Sequence, residues 1–258
     1  MRRASGHLLA GAALPLGLLA AWEIAARLGA VNAFLLPAPS AVLAAGIELA
    51  GSGELGRHVL ASAQRVAVGF VLAVALAVPL AVALRRSALL ARCLRFPLDF
   101  LRATPPLALV PLLVLWFGLG EAVKWTVIVL ASFFPILLNT MAGLDSVRPQ
   151  LLEMARTLQL TGAERVRFII LPAALPTFLA GLRLAFSNCW RALVGAELIA
   201  TSVGLGYLVM DAQTLARSDI VYAAILVIGT LGFLADWLFV LLARITVGNA
   251  NGPGLAGS

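Results

Sequence analysis

A chain of 258 residues with 62% apolar and only 12% charged residues, and a mean hydropathy of +1.01, lies far from a soluble domain, where roughly a quarter of residues are charged. The formal net charge of +7 would suggest nucleic acid in a soluble chain. Here the arginines cluster in short segments between apolar runs, where they set orientation in a bilayer, so a globular enzyme and a nucleic-acid module are both excluded.

The expected fold is all-α: a polytopic membrane protein with about six transmembrane helices and a cytoplasmic coupling helix. Met1-Arg2-Arg3 precedes an apolar run from Leu8 to Leu28 that is longer than a signal-peptide core and has no clean small-residue cleavage site. Residues 1–30 therefore read as a retained first span. Residues 31–58 read as a periplasmic loop carrying Pro37, Pro39 and a short helical pattern that ends at Gly51-Ser52-Gly53. A second span from about Val59 to Leu84 stops at Arg85-Arg86. An interfacial helix over 88–102 follows, and then a third span to about Phe117. Pro105, Pro106 and Pro111 imply that this third span is kinked or broken. After a tight turn at Gly118-Leu119-Gly120-Glu121, the fourth span covers about Ala122–Leu144 and the fifth about Ala173–Ala200. A short amphipathic helix lies in TSVGLGYLVMDAQTLARSD, and the sixth span covers about Ile220–Ala243. Residues 59–244 make up the core, and 245–258 read as a disordered tail.

With six spans both termini are cytoplasmic. The inner segments then hold arginines from Arg2 to Arg244, among them Arg85, Arg86, Arg92, Arg95, Arg102, Arg148, Arg156, Arg165 and Arg167. The outer segments hold only Arg27, Arg57, Lys124 and Arg217. This asymmetry follows the positive-inside rule.

One polar-rich interruption, residues 145–172, separates two strongly apolar segments. Pro149 suits a first helical turn. Leu151, Leu152, Ala155 and Leu158 fall at helical spacing. Thr161-Gly162-Ala163-Glu164 fits a capping box that opens a second helix. The loop reads either as a connector that fixes topology or as an apolar stripe offered to a soluble partner.

Glu153-Met154-Ala155, with Ile169 and Leu171-Pro172 at the expected distance, resembles the EAA motif of permease subunits of bacterial ABC importers. The family pattern has a glycine six residues after the glutamate. This chain has Gln159 there and Gly162 three residues later. Pro172, Pro176, Gly181-Leu182-Arg183, Ala196-Glu197 and Gly204-Leu205-Gly206-Tyr207-Leu208 are similar to the sulfonate/taurine/nitrate branch, as is FLLPAPSAVL. The resemblance implies a homodimeric, multi-pass subunit in the bacterial inner membrane, with two ATP-binding subunits below it and a periplasmic solute-binding protein above. It implies ATPase contact through Leu151, Leu152, Glu153, Ala155, Arg156, Leu158 and Gly162. The solute would be small and anionic. An ion-coupled secondary transporter is the alternative, although no internal repeat supports it.

The residues agree with a subunit that does not hydrolyse ATP itself. The only lysine, Lys124, stands between Val123 and Trp125, so no Walker A phosphate loop can form. His7 and His58 are isolated, Cys93 and Cys189 are far apart, and no catalytic, metal or cofactor constellation is present. Arg191 lies inside a span, where an ionised arginine costs at least ~2.5 kcal/mol on insertion scales. It reads either as an anion-attracting residue on a translocation path with Asn188 and Glu197, or as a structural pair with Glu197 or another acid. Arg183, nearer the inner end, can snorkel. Glu23, Arg65 and Asp236 read as interhelical partners.

Overall fold

The computed structural model describes residues 2–199 and 201–250, with side chains at 13–199, 201–243 and 245. Every regular element among them is helical. These elements are α1 (Arg2–Arg27), α2 (Pro39–Gly51), α3 (Glu54–Arg86), α4 (Ala88–Ala103), a 3-10 turn (Pro106–Leu109), α5 (Val110–Phe117), α6 (Glu121–Asp145), α7 (Pro149–Thr157), α8 (Gly162–Arg165), a π turn (Val166–Ile170), α9 (Leu171–Glu197), α10 (Leu205–Thr214) and α11 (Ser218–Ala250).

Four helical stretches are long and apolar enough to cross a membrane: Glu54–Arg86, Glu121–Asp145, Gly162–Glu197 and Ser218–Ala243. Ala88–Ala103 and Pro106–Phe117 make a fifth if they are taken as one span bent by 89°. The remaining expected span, the first, corresponds to α1, whose first residues lie outside the described side chains. The expected third span is broken as its prolines imply. Beyond the break, α5 has eight residues, about 12 Å of helix, too short to cross a bilayer core alone. The expected disordered tail is corrected in part: α11 continues to Ala250, and 251–258 lie outside the described residues.

The chain divides into two compact units, Met1–Ala61 with Ser202–Gly229 and Ser62–Thr201 with Thr230–Ser258. In the first, Pro39 sets the opening turn of α2, and Val42, Ala45 and Leu49 lie on its buried face. Glu23 of α1 caps that helix. Its carboxylate accepts from the Ser40 backbone N–H at 3.0 Å and from the Ser40 hydroxyl at 2.7 Å, and also from Arg27. His58 is fully buried, and its Nδ1 accepts from the Gly204 backbone N–H at 3.0 Å. Gly204 has φ +142°, where a side chain would be strained, so His58 pins the turn that launches α10.

In the second unit, close helix packing depends on small residues, because lipid supplies no hydrophobic drive between helices. Ala73, Ala77 and Ala81 form a fully buried stripe on α3 in the cluster that holds Ile136 and Leu137 of α6 and Ala185 of α9. The α6–α9 pair is closer still. A Cβ on Gly181 would sit 2.3 Å from Asn139 Cβ, and one on Gly143 would sit 2.9 Å from the Ala174 carbonyl oxygen. The two helices joined by the 145–172 loop are therefore locked along their length.

Candidate functional site

The loop folds much as its pattern indicates. Arg148 is extended, as a residue before proline should be, and Pro149 opens α7. Thr161 caps α8, with both halves of the Thr161–Glu164 box present. The turn between them is made at Gln159, with φ +52°. The Gln159 N–H donates to the Arg156 carbonyl and the Leu160 N–H to the Ala155 carbonyl, each at 3.0 Å, which completes a Schellman motif. The position where the family pattern has glycine is thus the left-handed one. Gly162 takes an ordinary helical place, and a Cβ there would meet nothing within 4 Å. Gln159→Gly should remove a left-handed cost of roughly 1 kcal/mol and raise the melting temperature of the purified protein by about 2–4 °C. A lower melting temperature would contradict a left-handed Gln159.

The apolar stripe of α7 is divided. Ala155 is fully buried with Val147 and Ile169, and Leu151, Leu152, Leu160 and Ile170 pack on that cluster. The stripe expected to face a partner is therefore largely consumed by the chain's own loop. α7 leaves exposed Pro149, Gln150, Glu153, Met154, Arg156 and Thr157, followed by the exposed C-cap Leu158, with Met154 at 51% and Leu158 at 62%.

Of the three residues expected on a path, two come together. Arg191 Nη2 donates to Asn188 Oδ1 at 2.8 Å, and its Nε donates to the Ser187 carbonyl at 3.0 Å. Among the described residues Arg191 has no acidic partner. Both residues line a cavity of about 310 Å³ with Pro105, Pro106 and Leu107, where the α4–α5 helix breaks. An adjoining cavity of about 340 Å³ is lined by Asn188, Asn139, Thr104 and Arg102. The freed backbone at the break thus lies beside a cavity, the setting in which non-helical structure is tolerated within a membrane protein.

Glu197 lies elsewhere. It is buried and accepts from Arg65 Nη1 at 2.6 Å and from the Ser62 hydroxyl at 2.8 Å. Arg65 also forks onto Glu121, Nε to Oε2 at 2.8 Å and Nη2 to Oε1 at 2.9 Å. Lys124 Nζ reaches Glu121 Oε1 at 2.8 Å. Two cations and two anions therefore join α3, α6 and α9. The pattern puts Glu121 in a turn and counts Lys124 with the outer segments at the start of the fourth span, yet Lys124 is 4% exposed. The available signal is that Arg65, Glu121, Lys124 and Glu197 each fall toward one end of a long apolar helix.

Arg183 is likewise paired rather than snorkelling: its Nε and Nη2 fork onto Asp236 of α11 at 2.6 and 2.7 Å.

Residues 69–246 match the family model described as binding-protein-dependent transport system inner membrane component. The protein named as an aliphatic sulfonates transport permease, SsuC, of Bacillus subtilis is 38% identical over 234 residues, covering 91% of this chain and 85% of its own. The SsuC of Escherichia coli is also 38% identical, over 90% of this chain and 88% of its own. The taurine transport system permease protein TauC of Escherichia coli is 36% identical, over 85% and 82%.

Proposed function

The chain belongs to the family of binding-protein-dependent transport system inner membrane components, and from that premise we propose that it forms the translocation path of an ATP-driven importer for a small organic anion of the sulfonate or taurine type. The observation that carries the substrate class is Arg191, a span arginine with no acidic partner among the described residues, aimed with Asn188 into a cavity at a helix break. A charge-assisted hydrogen bond from a guanidinium suits a sulfonate oxygen. The names of the related permeases support the same class.

In this reading the protein lies in a bacterial inner membrane with both termini in the cytoplasm. A second copy completes the channel, a periplasmic binding protein delivers solute, and two ATP-binding subunits dock on the exposed face of α7. ATP-driven closure of those subunits would move α7. Because α6 and α9 are locked at Gly143 and Gly181, the motion would reach Asn139, Asn188 and Arg191 as a rigid-body shift.

The test is uptake of ethanesulfonate by vesicles containing the whole importer. Arg191→Ala should reduce uptake roughly tenfold or more, the value of a hydrogen bond to a charged group, while the ATPase still co-purifies. Unchanged uptake would sink the role of this charge.

A further inference from the structure

Beyond Arg191, and resting on the transport reading above, we propose that donors from α9, α6 and α4, set along a groove that follows α6, guide the anion from Arg191 to a second cationic station at Arg102, with Arg95 at the cytoplasmic mouth. Three adjoining cavities carry the inference. The first, with Arg191, shares Asn188, Ala131 and Pro106 with the second, which contains Asn139 and Arg102. The second shares Arg102, Phe134 and Leu138 with a third of about 150 Å³, which contains Arg95 and Asp99. On α6 the cavities touch Ala131, then Phe134, Leu138 and Asn139, then Met141. That order advances ten residues, about 15 Å along the helix, half of a bilayer core.

The chemistry of the lining selects charge. Asn188 Oδ1 is taken by Arg191, which leaves its amide N–H groups to face the cavity. Asn139 donates one amide hydrogen to the Pro135 carbonyl at 2.8 Å and keeps the other. Among the described residues no carboxylate lines either of these two cavities. The third contains one acid, Asp99, 3.4 Å from Arg102 and 4.0 Å from Arg95, so two guanidiniums share a single carboxylate and the mouth stays net positive. A path supplying donors and positive charge favours a small monovalent anion and repels cations. The shared carboxylate at the inner end weakens the hold there, which favours release over tight binding.

The sequence provides a clean probe, because only Cys93 and Cys189 must be replaced to obtain a cysteine-free chain. In full-length protein carrying Cys93→Ser, Cys189→Ala and Asn139→Cys, assembled with its partners in inverted membrane vesicles, the thiol is reacted with methanethiosulfonates of matched size and opposite charge. The anionic reagent should react faster than the cationic one. Adding Arg102→Gln should lower the anionic-to-cationic rate ratio roughly tenfold, as expected for removing one unit charge in a partly desolvated groove, and Arg102→Lys should restore it. Arg102 is exposed, so its replacement leaves the core intact. A ratio unmoved by Arg102→Gln overturns the proposal. Ethanesulfonate uptake, measured in parallel on the unsubstituted importer, judges the transport reading separately: its absence would overturn the sulfonate assignment while the reagent ratio still decides the groove.

Discussion

Glu153→Arg combined with Met154→Asp is expected to abolish recovery of the ATP-binding subunits with the purified protein, with a loss in affinity of a hundredfold or more. Met154 and Leu158 are four residues apart, so their side chains lie on one face of α7, and they are 51% and 62% exposed. Glu153 borders them, with no side-chain partner among the described residues. Burying Met154 in a partner's groove is the sort of central contact that costs about 2 kcal/mol or more when truncated. An aspartate there, together with a reversed charge at 153, adds an unpaired polar group to be desolvated. Leu151→Ser provides the contrast. Leu151 packs on the Ala155–Ile169 cluster, so its replacement should lower the melting temperature while the ATPase still co-purifies. Parent-level ATPase recovery with the Glu153/Met154 double variant would show that α7 is not the docking element.

The division of the α7 stripe shows what a sequence can and cannot specify. The 3.6-residue period places Leu151, Leu152, Ala155 and Leu158 near one another. It does not say whether that face meets a partner or the returning chain. The answer depends on Ile169, fourteen residues beyond Ala155, which a π turn carries into the loop's own core. Gln159 was harder to place for a different reason. A left-handed glutamine has no sequence signature, and Gly162 nearby offered a more conventional turn. The capping box was legible because all its partners lie within four residues. Likewise the prolines announced a break between α4 and α5, but the 89° angle is a property of packing. The buried ion cluster was the least legible feature, since Arg65 and Glu121 are 56 residues apart and Arg65 and Glu197 are 132 apart. Periodicity has nothing to say about such a pair.

That cluster carries the other large expected effect. Arg65→Met should leave Glu197 buried without its guanidinium partner, and Glu197→Leu should leave the Arg65 guanidinium without its buried carboxylate. Removing one member of a buried pair costs about 3–5 kcal/mol, enough to empty the folded population of a marginal protein. Replacing both with apolar residues of similar volume is different in kind, because no buried charge is stranded, and Glu121 retains Lys124 at 2.8 Å. The double variant should therefore be more stable than either single variant, with a coupling of about 2–3 kcal/mol by thermal unfolding in a double-mutant cycle. Strict additivity would mean that the two side chains do not act as a unit. Transport should also separate from folding in this cycle. Arg191 lies six residues before Glu197 on α9, about 9 Å away along the axis, and shares none of the cluster's described bonds. On the proposed role of Arg191, a refolded double variant should thus keep the anion preference, because the cluster holds α3, α6 and α9 together and includes neither Arg191 nor Asn188.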